Sequence, residues 1–110
     1  MSYISDVVVV VHHVSAEQEA ALTAPLEFDT ERQQALVRID TVTAGGTKVF
    51  TSRVYAAAFN YLPVDEFIDW IVDLLGDRYD AVVWIDTEGD VQVLRPGCLV
   101  HGSSSDAQYR

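Results

Sequence analysis

Residues 60–76, NYLPVDEFIDWIVDLLG, constrain the fold more tightly than any other stretch of the chain. Placed at about 100° per residue from Asp65, the apolar side chains of Leu74, Phe67, Ile71, Val64, Leu75, Ile68 and Val72 fall on an arc from about 180° to about 340°. That arc reads as the core face of an amphipathic helix. Asp65, Asp69, Asp73 and Glu66 occupy the span from zero to about 100°, with Trp70 on the border near about 140°. The outer face is therefore acidic with an aromatic edge. Pro63 suits a first helical position, where its missing N–H costs nothing, and Gly76 can take the left-handed conformation that ends a helix. Boundaries near Pro63 and Leu75 follow. Asp65 and Glu66 favour the positive end of the helix dipole, whereas Asp73 lies near the negative end, one turn from Asp69, so this last pair opposes the helix.

Ahead of that helix, the β-branched run 7–11, flanked by Ile4 and Val14, lacks polar alternation and reads as a central strand covered on both faces. Ser15 followed by Gln18 fits a capping box and starts a short helix over residues 16–24, before Pro25. Residues 25–33 show no period and read as a loop. Residues 35–43 and 48–55 read as two strands joined through Gly45 and Gly46 as a β-hairpin, with 56–61 as the link into the acidic helix. After Gly76, residues 81–85 (AVVWI) form another interior strand, which Glu88 and Gly89 turn back into 91–94 before Pro96 and Gly97 end it.

The resulting order, β-α-β-β-α-β-β, matches in its first six elements a ferredoxin-like, split β-α-β arrangement. This is an α+β fold with two helices on one face of an antiparallel sheet, here with an extra C-terminal strand. In that topology the strands at Val7 and Ala81 are neighbours, and both are apolar on both sides. The helices cover only one side, so a homodimer, formed sheet to sheet or by strand addition, is expected to cover the other.

At 110 residues and 49% apolar content the chain reads as a single domain over residues 1–101 with a polar tail over 102–110. A net charge of −10 argues against nucleic-acid binding and against docking on an anionic membrane. Nine acids against one base, Arg78, put −8 of that charge between residues 65 and 90. Cys98 is the one cysteine, so no intrachain disulfide forms and a cytoplasmic setting is the simplest expectation. No apolar run is long enough to span a bilayer. At GGTKVF (residues 45–50) and AAAFNYL (56–62) the sequence resembles small uncharacterised proteins of actinobacteria and their phages. The resemblance implies an intracellular setting and brings no activity or site residues with it.

No catalytic constellation stands out. Asp86, Glu88 and Asp90 alternate like a Ca²⁺ loop, but Val91 and Gly97 stand where an EF-hand needs Gly and an acid, so a hairpin turn is expected. Cys98 and His101 are half of a zinc set and nothing completes it. His12 and His13, adjacent on a strand, should point to opposite faces. No metal and no cofactor is expected. Two functions remain. The first is a small acidic interaction module whose Asp65, Asp69 and Asp73, with Trp70 as an anchor, face a basic protein; a solvated helix face is the plainer account of the same acids. The alternative is a small-molecule-binding protein or minor enzyme with a cleft between sheet and helix, in which His12, His13, Asn60 and Tyr61 converge.

Overall fold

The run of five valines at 7–11 supplies most of β1 (Ile4–Val11), the middle strand of the sheet. The computed structural model describes residues 3–41, 45–48, 50–76 and 78–97. Within them the chain continues through α1 (Ala16–Thr23), β2 (Val37–Arg38), β3 (Arg53–Asn60), α2 (Val64–Leu75), β4 (Ala81–Thr87) and β5 (Asp90–Leu94). Two helices and one five-stranded sheet make an α+β architecture. The strands lie in the order β2-β3-β1-β4-β5, with every neighbouring pair antiparallel.

Because directly opposed residues share a face, the register divides the sheet into two surfaces. Ser5, Val7 and Val9 of β1 lie opposite Phe59, Ala57 and Tyr55 of β3, and opposite Thr87, Ile85 and Val83 of β4. This is the covered side. Val7, Val9, Val11, Tyr55, Phe59, Val83 and Ile85 are buried in one cluster with Leu22 of α1 and Phe67, Ile71 and Leu75 of α2. Ser5 and Thr87 close its end by a 2.7 Å hydroxyl pair. Each large side chain buried here contributes roughly 1.5–3 kcal/mol.

The expected α2 is present, with Phe67, Ile71 and Leu75 at the centre of the apolar arc and Asp65, Glu66, Asp69 and Asp73 exposed. Its ends are built differently from the expectation. Pro63 is the N-cap rather than the first helical residue, and its carbonyl accepts from the Phe67 N–H at 2.9 Å. Gly76 stays right-handed, at φ −58°. A left-handed stop is unnecessary because Arg78 N–H donates to the Leu75 carbonyl and the Gln18 side chain donates to Leu74. That same Gln18 completes the capping box of α1 with Ser15, at 3.0 Å in both directions, as the sequence predicts.

The hairpin departs most from expectation. Pairing of Val37 with Ala56 and Arg38 with Tyr55 centres it between Gly46 and Thr47, close to the expected turn, but the ladder is two residues long on one side. The second strand occupies 53–60 rather than 48–55, so residues 56–60, expected as a link, are strand instead. Three alanines give that segment low β-propensity. Pairing with β1 along all eight residues outweighs it. The β4–β5 turn follows expectation, with Glu88 and Gly89 both at positive φ (52° and 99°), as a two-residue hairpin loop requires. Gly97 packs so close to Arg78 that an added Cβ would lie 2.6 Å from its carbonyl oxygen. Cys98, His101 and the 102–110 tail lie outside the described residues. Among those described, no helix is long and apolar enough to cross a membrane.

Candidate functional site

The residues expected to line one pocket are not brought together. Asn60 is paired with Ile4 at the start of β1, whereas His12 and His13 follow its end at Val11, about 23 Å away at roughly 3.3 Å per strand residue. Both histidines are exposed, and their rings face each other with centroids 4.2 Å apart. The expectation that they point to opposite faces fails because β1 stops at Val11 and the chain bends. Asn60 has its backbone N–H and carbonyl bound by the Gln34 side chain, at 2.7 and 3.0 Å. Tyr61, at φ 55°, donates its N–H to Tyr3 and lies edge-on to that ring, with the Arg32 guanidinium 5.3 Å from its own ring centre. These contacts fasten the 25–34 loop to the end of the sheet.

On α2, Asp65, Asp69 and Asp73 form the exposed row that the spacing predicts, and no ion pair found among the described residues includes them. Trp70, at the edge of that face, is half-buried between Phe67 and Phe28, with ring centroids 5.4 and 6.1 Å away, because the 25–34 loop folds over that edge of the helix. Among the described residues no three His, Cys, Asp or Glu side chains converge as metal ligands.

Two features emerge that the sequence reading passes over. The first is a mixed-charge cluster where α1 crosses the β2–β3 edge. Arg38 and Tyr55 are direct cross-strand partners, and Arg53 stands two residues before Tyr55 on the same face. Arg38 forks onto Asp40 through Nε and Nη2 at 3.0–3.2 Å, and Asp40 Oδ1 also accepts the Val54 N–H at 2.9 Å. The Asp40 carboxylate thus ends the ladder in place of a backbone carbonyl. From α1, Glu19 reaches down with one oxygen 3.4 Å from Arg38 Nη1 and the other 3.5 Å from Arg53 Nη1. The Tyr55 hydroxyl lies beneath them. Burial raises its ionisation above the ordinary phenol range, and the nearby Glu19 carboxylate pushes the same way. Its approach to Glu19 falls short of a hydrogen bond, however, and this buried oxygen has no partner among the described residues. Such an orphan costs about 1–3 kcal/mol.

The Arg38 hydrogen bond holds the Asp40 carboxyl below its usual range, opposed by burial and assisted by the Val54 N–H. A folded-state value below the unfolded one contributes stability that is complete above about pH 4 and is lost as pH falls through the folded value. Asp40→Asn should therefore cost about 1–2 kcal/mol at neutral pH by losing the charge-assisted bonds. In urea titrations the gap between variant and parent should close as pH drops below about 4. A gap that is constant with pH would exclude this linkage.

The second feature is the side of the sheet that no described helix covers. Reading the register straight across gives Val37, Ala56, Val8, Trp84 and Val93, one apolar residue from each of the five strands. A parallel row contributes Val10 and Val82, with Val54 beside them buried. Neither helix lies on this side. Val37 is 60% exposed and Val93 47%, and Val8, Val10, Val82 and Trp84 are only partly covered. Asp6 and Asp86, opposed at one end, are the carboxylates of this face.

No protein-family description, curated protein or solved structure matches the chain. The function must be argued from these surfaces.

Proposed function

We propose that the chain is a non-enzymatic protein–protein interaction module that pairs with a second copy through the open face of its sheet and presents its acidic helices outward to a basic partner. The observation that carries this reading is the apolar row from Val37 through Val8 and Trp84 to Val93. Monomeric surfaces rarely keep contiguous apolar patches of that extent. With eight residues each in β1 and β3, seven in β4, five in β5 and two in β2, at ~4.8 Å spacing and ~3.3 Å rise, the face spans roughly 475 Å². Two such faces in contact remove on the order of 950 Å² from water, close to the roughly 1,000 Å² that marks a biological interface. Trp84, near the middle, is the residue type most often found as an interface anchor.

The strand order supports reading the first six elements as a split β-α-β, ferredoxin-like arrangement with β5 added beside β4. In that arrangement the helices and the free sheet face lie on opposite sides. A sheet-to-sheet dimer therefore leaves both α2 acidic rows on its outside, on a particle carrying −20, twice the −10 of one chain. Charge complementarity then selects a basic protein.

Salt separates the two contacts. Apolar pairing of two acidic chains is opposed by long-range repulsion, which salt screens over a Debye length of about 10 Å at 0.1 M. Sedimentation at micromolar concentration should show a dimer whose association tightens as NaCl is raised. Binding of an arginine-rich probe peptide to α2 should weaken over the same range. A monomer at every salt concentration would remove the self-association reading, and equal peptide binding after Asp65, Asp69 and Asp73 are changed to Asn would remove the acidic-helix reading.

A further inference from the structure

We infer that the cluster under α1, where Arg38, Arg53 and Tyr55 meet Glu19, is a binding site for a phosphate group, for which the Glu19 carboxylate acts as a built-in substitute. Three donors converge there. Arg38 commits its Nε and Nη2 edge to Asp40, which leaves Nη1 for other partners. Arg53 offers its own Nη1, and the fully buried Tyr55 hydroxyl has no partner among the described residues. Glu19 turns one carboxylate oxygen to each arginine, and neither oxygen reaches the hydroxyl within hydrogen-bond distance. A phosphate group has an oxygen for each of the three.

The geometry of the existing contacts points the same way. Arg38 holds Asp40 at 3.0 Å, but Glu19 stands at 3.4 and 3.5 Å from its two arginines. Charge-assisted bonds settle at about 2.7–2.9 Å when unstrained. Glu19 is therefore held by attraction without close bonding, which is what a displaceable latch requires. The three side chains that would have to move are reachable, with Glu19 29%, Arg38 34% and Arg53 37% exposed. Two arginines against Glu19 and Asp40 make the cluster neutral, and withdrawing Glu19 leaves it with one net positive charge to receive the anion. Arginine forks suit phosphate oxygens in geometry as well as charge. This site is independent of the open sheet face, so its test does not depend on dimerisation.

Inorganic phosphate titrated into the labelled full chain, followed by amide NMR, should give saturable shifts confined to Glu19, Arg38, Arg53 and Tyr55 and their neighbours. Chloride at equal ionic strength should not. Glu19→Gln, which removes the competing charge at constant shape, should tighten binding at least about tenfold, and Arg53→Gln should weaken it by a similar factor. Tyr55→Phe should also weaken binding while raising the thermal midpoint, since it deletes the orphan hydroxyl; a merely structural tyrosine would not couple those two readouts. Methyl phosphate binding as well as the free ion would identify a phosphate monoester as the ligand, and failure of the ester alone would identify the free ion. Binding seen only in Glu19→Gln would overturn the claim that the native chain opens the latch. Absence of saturable shifts in both chains, or indifference to Arg53→Gln, would overturn the site.

Discussion

On the proposed pairing, a chain carrying Val8→Lys should sediment as a folded monomer at concentrations where the parent sediments as a dimer. Val8 lies at the middle of the sheet, between Ala56 and Trp84, on the face that no helix covers. In an isolated chain the lysine can extend along its apolar neighbours and keep its ammonium in water. Folding then loses little, and circular dichroism should retain the parent spectrum. In a face-to-face dimer the same ammonium is sealed against an apolar partner surface. An unpaired buried charge costs several kcal/mol, and each 1.4 kcal/mol is tenfold in affinity, so the dissociation constant should rise by at least about a hundredfold. If the central substitution impairs folding, Val37→Lys with Val93→Lys makes the same test at the two edges of the row, where both residues are already exposed. A dimer that survives both changes would place the association elsewhere on the molecule.

The apolar face was legible in the sequence as an excess. The strands at Val7 and Ala81 carry valine or another apolar residue on both sides, more than two helices on one side can bury. What the sequence could not supply was the row itself, because it depends on the register of four strand pairs. The capping box and the apolar arc of α2 were readable for the opposite reason: both depend on residues three and four apart. The errors follow the same division. β3 was displaced by five residues because its alanines argue against a strand locally, while its pairing with β1 is set from some fifty residues away. The cluster under α1 was missed for want of that register. Arg38 and Asp40, and Arg53 and Tyr55, each show two-residue spacing along the chain, but only Arg38 opposite Tyr55 turns the two into one site. The half-burial of Trp70 agrees with its place on the border of the arc, but its contact with Phe28 comes from a loop whose sequence shows no period.

Phe67→Ala should be the most damaging single change on α2, at about 3–5 kcal/mol. The ring is fully buried, 5.9 Å from Phe59 of β3 and 5.4 Å from Trp70, so its loss opens a cavity where helix and sheet meet. Against a total stability of about 5–15 kcal/mol for a domain of this kind, that removes much of the margin. The urea midpoint should fall far below the parent's. Two residues along, on the other face, Asp69→Asn should leave the midpoint unchanged or slightly higher. Asp69 is exposed and lies one turn from both Asp65 and Asp73, and like charges at that spacing cost a few tenths of a kcal/mol. Equal losses from the two substitutions would mean that the acids hold the helix in place, and the case for an outward-facing binding surface would fall. A large loss from Phe67→Ala with none from Asp69→Asn means that the fold keeps those carboxylates at no benefit to itself. Their repulsion is then explained by contact with something basic outside the chain, or by the charge that holds an apolar-faced protein in solution. Changing Asp65, Asp69 and Asp73 to Asn decides between these: the first reading requires peptide binding to α2 to fall, the second requires only that solubility falls.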